Sequence, residues 1–123
     1  MFLFPEHQER YEQFLKQDGT HPKDWERQAL FYIFAGYKDL GDRIEHFYDF
    51  ESRMIRPEAF QAVDLTSGSR ALAELAFNLY NNYECGTLVD LFVNLDERNR
   101  RLAVEAIKLR FGVENRGWEY SDG

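Results

Sequence analysis

Two histidine–aspartate pairs are the first candidates for chemistry in this chain. His21 and Asp24 lie in THPKDWER, residues 20–27, and His46 and Asp49 lie in EHFYDF, residues 45–50. On a helix, residues three apart share a face, so each pair can present an imidazole beside a carboxylate. Converged, the pairs would form a four-ligand N/O site suited to zinc, manganese or iron, and with it a small metal-dependent hydrolase. Helical bundles that hold two metals use similar spacings, but with several Glu residues and Glu-x-x-His motifs, which are absent here. The third histidine, His7, follows Glu6 in a different predicted helix. A competing reading is helix punctuation. Pro22 suits a first helical position, and Asp24 and Glu26 offset the unpaired amides and the positive end of the dipole. His21 would then sit at the cap, outside helical geometry, and Asp49 falls in an irregular stretch. Punctuation is the stronger reading; His21, Asp24, His46 and Asp49 remain the candidate metal ligands.

Three further motifs carry candidate chemistry. Thr66-Ser67-Gly68-Ser69-Arg70 has the hydroxyls, glycine and arginine of a phosphate-binding helix start. It lacks the lysine and glycine spacing of a P-loop, so ordinary capping is favoured. Cys85, the only cysteine, has no histidine beside it in YECGT and reads as an inert thiol. Trp118 and Tyr120, in the polar stretch VENRGWEYSDG, are candidate partner-binding residues, because aromatics bring large contact area to an otherwise polar segment.

The elements that must position these residues follow from apolar spacing. Pro5 can open a first helix with Tyr11, Phe14 and Leu15 inward, stopped at Asp18-Gly19. A second is expected from Pro22 through the apolar run Ala29–Ala35 to Gly36, buried on most sides. Leu40, Ile44 and Phe47 extend a third over 37–47. Tyr48–Phe50 and Met54–Arg56 suggest a short hairpin before Pro57. Leu72, Leu75, Ala76, Leu79 and Tyr83 form one stripe of a helix capped by TSGS and ended by Asn81-Asn82. A short segment carries Leu88, Leu91, Phe92 and Leu95. Asp96 caps a last helix that Gly112 stops. The expected fold is all-α: one domain of five to six helices over residues 1–112, with residues 113–123 as a flexible tail.

Bulk properties narrow the function classes. A chain of 123 residues with 44% hydrophobic and 16% aromatic residues has ample core material for one domain. Residues 1–97 hold 9 Lys/Arg against 18 Asp/Glu, and residues 98–123 hold 6 against 4. An acidic body argues against nucleic-acid binding, which relies on cations releasing phosphate counterions. The one basic cluster, Glu97-Arg98-Asn99-Arg100-Arg101, reads as a solvated helix face rather than a phosphate contact. MFLFPEHQ lacks a basic n-region and no stretch approaches a membrane span, so a reducing, cytoplasmic compartment is expected.

THPKDWERQALFYI, YDF with IRPE, LAFNLYNNYE, and DLF with NLDERN together resemble a family of short uncharacterised bacterial proteins, chiefly from low-GC Gram-positive species. The resemblance runs from about Met1 to Phe111 and departs from the family pattern at Trp25, where a smaller residue is usual. It implies a bacterial cytoplasmic protein and carries over no catalytic residue. The residues themselves favour a non-catalytic protein-interaction or regulatory module without a cofactor. Its expected partner is a basic protein or a second copy of the chain. The metal-dependent hydrolase is the alternative.

Overall fold

The computed structural model describes residues 1–113. Among them the chain forms eight helices and one antiparallel hairpin. Four helices are long: α1 (Pro5–Asp18), α2 (Trp25–Gly36), α6 (Ser67–Asn81) and α8 (Glu97–Phe111). Four are short: α3 (Lys38–Asp42), α4 (Ile44–Phe47), α5 (Ala59–Ala62) and α7 (Leu88–Phe92). The hairpin pairs β1 (Tyr48–Asp49) with β2 (Met54–Ile55) in the register Tyr48↔Ile55 and Asp49↔Met54. The mainly helical fold with a hairpin near residues 48–56 is as expected.

The helix ends show why each stops where it does. Gly19 and Gly112 take left-handed conformations beyond α1 and α8, and Asn82 does the same beyond α6. Thr66, Thr87 and Asp96 each accept a hydrogen bond from the backbone N–H three residues on, satisfying donors that the helix itself leaves open.

Two expectations are corrected. The second helix begins at Trp25 rather than Pro22, because Asp24 is its cap: the carboxylate accepts from the Arg27 N–H at 3.0 Å, and Pro22-Lys23 form a preceding turn closed from Asp24 N–H to His21 C=O. The helix expected over 37–47 breaks at Arg43, whose φ of −114° and ψ of 20° leave the helical region and separate α3 from α4.

Helix α2 is the centre of the molecule. From Gln28 to Gly36 every residue is buried, as α1, α6 and α8 all pack on it. That explains the unbroken apolar run, since no polar face is needed where no face meets water. Each fully buried Phe, Leu or Ile there contributes about 2–3 kcal/mol from apolar burial. Gly36 permits the closest crossing: a Cβ there would overlap the Leu102 side chain and lie 3.1 Å from His7 Nε2. An aromatic seam links this helix to the hairpin, with Phe31 stacked on Phe50 and edge-on to Tyr48.

Candidate functional site

The two histidine–aspartate pairs do not present themselves as paired ligands. His21 is exposed in the turn before α2, and its Nδ1 accepts from the Lys23 N–H at 3.0 Å. Asp24 caps α2 and pairs with Arg27 Nη1 at 2.9 Å. His46 is exposed on α4. Asp49, in β1, accepts from the Glu51 N–H and the Ser52 hydroxyl and faces Arg56 at 3.4 Å. These contacts to Asp49 hold its carboxyl below the usual range, the Ser52 hydroxyl chief among them. Among the described residues no group of three or more His, Cys, Asp and Glu side chains is placed to hold a metal ion.

The polar cluster that does assemble joins α1, α2 and the hairpin. Asp18, at the end of α1, has a fully buried side chain. It accepts from Arg53 Nε and Nη2, both at 3.0 Å, from the Tyr48 hydroxyl at 2.6 Å and from the Thr20 hydroxyl at 2.5 Å. Burial alone would raise the Asp18 carboxyl; the hydrogen bonds from Arg53, Thr20 and Tyr48, with the Arg53 charge, override it and hold it below its usual value. Arg27 completes the cluster through three directed bonds, to the Tyr48 hydroxyl, the Asp24 carboxylate and the Arg53 carbonyl, and lies over the Tyr80 ring. Arg53 adopts φ +60°, a left-handed turn position that glycine fills more readily. Nothing in the local sequence announced this cluster, because the bonds that close it span 21 to 35 residues. Among the described residues no buried side-chain nitrogen or oxygen is left without a hydrogen-bond partner, so the cluster reads as a clasp rather than a site.

His7 is a second buried polar group. Its Nδ1 accepts from the Leu3 N–H at 3.2 Å, so the proton sits on Nε2 and is donated to the Tyr32 carbonyl at 2.9 Å. Burial lowers its pKa to about 4, opposed in part by the bond to Tyr32. The imidazole is thus a neutral pin between α1 and α2. Thr66 and Ser69 satisfy each other at the start of α6, and Arg70 is taken by Phe60 C=O and Glu74, so TSGSR caps a helix. Cys85 is half-buried, and burial with the nearby Glu74 raises its thiol, against nucleophilic use. Trp118 and Tyr120 lie outside the described residues.

Among the described residues, what stands uncovered is the face of α7. Leu91 and the following Leu95 point inward and anchor the segment on α6. Phe92 is partly buried against the core, while Leu88, Val89 and Val93 face outward. Leu88, Val89 and Val93 are 61%, 69% and 66% exposed. Beside this ridge runs a groove of about 500 Å³ lined by Leu75, Asn78, Glu84, Cys85, Leu88 and Leu91. Glu84 and Asp90 border the apolar surface; their carboxylates have no cationic partner among the described residues.

A separate cleft of about 900 Å³ opens where the N-terminal ends of α1 and α8 approach the α2–α3 junction, and Phe4, Arg10, Tyr37 and Arg98 line it.

Comparison with known proteins assigns the chain over nearly its whole length. Residues 1–121 match a family of unknown function (DUF6075). The chain belongs to that family. The match continues past Phe111, where the resemblance was expected to end. No curated protein and no solved structure matches the chain. Family membership therefore assigns no activity to these surfaces.

Proposed function

We propose that the chain is a non-catalytic interaction module that binds a basic, amphipathic segment of a partner protein on the α7 face. The observation that carries this reading is the exposed ridge Leu88–Val89–Val93 beside a groove of mixed apolar and polar lining, bordered by Glu84 and Asp90, which have no cationic partner among the described residues. Contiguous apolar side chains facing water on a short, capped helix mark a docking surface, since isolated stability would be served as well by polar residues there. An apolar side chain of the partner enters the groove, and flanking lysines or arginines meet the two carboxylates.

The same charges argue against a second copy as occupant. A two-fold pairing through α7 would set Glu84 and Asp90 against their own counterparts, and like charges across an interface oppose association.

The test is fluorescence anisotropy with a labelled, helical Leu/Lys peptide, using the wild type and the Val89→Asp/Val93→Asp double variant. The expected result is salt-sensitive binding to the wild type that the double variant loses. Equal affinity for both proteins, or none for either, overturns the assignment. Light scattering on the same samples separates the alternative occupant: a concentration-dependent dimer that the double variant abolishes would make the partner a second copy.

A further inference from the structure

The cleft between α1, α8 and the α2–α3 junction is lined by both paired and unpaired charges. Lys38 is paired with Asp42, and Asp39 with Arg43. Arg10 and Arg98 have no carboxylate partner among the described residues, although both line this cleft. Both guanidiniums are organised around one ring, with Arg98 at 4.5 Å and Arg10 at 5.9 Å from the Phe4 centroid.

Arg10 is also held from behind. Its Nε donates to the Ala35 carbonyl at 3.0 Å, and its stem lies where a Cβ on Gly41 would be 3.5 Å from Cδ. Its two terminal nitrogens have no other hydrogen bond among the described residues. Arg98 differs likewise from its neighbours in the basic cluster: Arg100 Nε is taken by the Phe92 carbonyl and Arg101 by Glu97. Of the four carboxylates in the cleft, Asp39 and Asp42 are neutralised by their ion pairs, and Asp96 caps α8. Glu6 and Asp96 have no ion-pair partner among the described residues, so two unpaired carboxylates line the cleft with the two arginines.

We propose that this cleft binds the oxyanion head, phosphate or carboxylate, of a small organic ligand between the Arg10 and Arg98 guanidiniums. Guanidinium donors in a planar fork match either oxyanion in a two-point contact, and two forks from different helices converge on one group. The remaining volume, towards Tyr37, accommodates the body of the ligand. The inference is independent of the α7 face, which lies on other residues.

Amide chemical shifts of Arg98 and Asn99 would be followed while inorganic phosphate or acetate replaces chloride at constant ionic strength. Saturable shifts with phosphate alone identify a phosphate head, and with acetate alone a carboxylate; either is expected to weaken at least tenfold in R98Q and in R10Q. Arg98 is exposed, so R98Q preserves the fold and keeps the test decisive should R10Q be destabilised. R101Q, on the same helix, and the Val89→Asp/Val93→Asp variant should bind as the wild type does. No saturable shift with either anion, or undiminished binding in R98Q, would overturn the assignment.

Discussion

The corner where α1, α2 and the hairpin meet holds Asp18, Arg27, Tyr48 and Arg53 in a network of mutual hydrogen bonds, whereas the α7 segment holds Leu88, Val89 and Val93 against water, largely uncovered by the other described residues. Residue type alone would suggest the reverse roles, since charges are usual at surfaces and apolar groups inside. The difference teaches that satisfaction, not polarity, separates structure from binding in this molecule. Among the described residues no buried side-chain nitrogen or oxygen lacks a hydrogen-bond partner, so the buried polar groups are part of the framework. The places free to act are those where a group's natural partner is missing.

The largest effect should come from breaking the clasp on its cationic side. Arg53→Ala leaves the fully buried Asp18 carboxylate with only two hydroxyls, and an uncompensated buried charge costs about 3–5 kcal/mol. Asp18→Ala should cost less, about 2 kcal/mol, because Arg53 is 40% exposed and can return to water. Urea melts of both variants at neutral pH check the asymmetry. The pH dependence gives its sign a second test. In the wild type the depressed Asp18 carboxyl contributes stability that is present above the ordinary carboxylate range and lost as pH falls through the folded value. Without Arg53, burial raises that carboxyl, protonation relieves it, and the deficit of Arg53→Ala should shrink as the pH is lowered. A deficit that is constant with pH would mean that Arg53 acts through its turn conformation instead.

His7 offers a comparison within the framework. Neutral in the fold down to about pH 4, it would take a proton from an ordinary 6.5 downwards once unfolded. The unfolded chain therefore binds more protons in this window, and stability falls from pH 6.5 to about 4. His7→Gln should cost about 1–3 kcal/mol at pH 7, through the Leu3 N–H and Tyr32 C=O it leaves unmatched, yet lose less on acidification. Thermal melts across that window decide it: parallel curves for the two proteins would remove His7 as the titrating group. A smaller effect, about 1–2 kcal/mol, is expected of Arg27→Lys. A lysine cannot serve Tyr48, Asp24 and the Arg53 carbonyl at once.

These contrasts also mark how far the sequence was legible. The long helices could be read because their evidence is local: Pro5 and Gly19 around α1, the apolar run of α2, the TSGS cap and Asn82 around α6, Asp96 and Gly112 around α8. The hairpin was legible for the same reason. The start of α2 was misplaced because Pro22 and Asp24 both signal a helix start, and only the Asp24–Arg27 bond decides between them. The helix over 37–47 kept its apolar spacing while its backbone broke at Arg43, which no periodicity reports. The clasp, the His7 pin and the Arg10–Arg98 cleft were illegible, since each joins residues far apart in the chain. The α7 face was half visible: Leu88, Leu91, Phe92 and Leu95 were recognised as a segment, but which of them face outward depends on how α7 lies on α6.

The smallest effects on stability are expected where the comparison places function. Val89→Asp/Val93→Asp should change folding free energy by no more than about 0.5 kcal/mol, because the replaced side chains already face water. A loss well beyond that would show that the ridge supports α7 itself and would undo its reading as a docking face. His21→Ala and His46→Ala should be equally silent, since both imidazoles are exposed and His21 makes a single turn contact. Adding zinc, manganese or iron(II) after EDTA then separates exposed histidines from ligands. A metal held by the folded state at a hundredfold excess over its Kd would add about 2.7 kcal/mol, a rise in Tm that both alanine variants would lose. With Asp24 engaged by Arg27 and Asp49 by Ser52 and Arg56, the expected rise is nil, because binding would first have to break those bonds. A clear rise would restore the pairs as ligands and show that the carboxylates leave their partners for a metal, making the turn before α2, and not α7, the place to look for function.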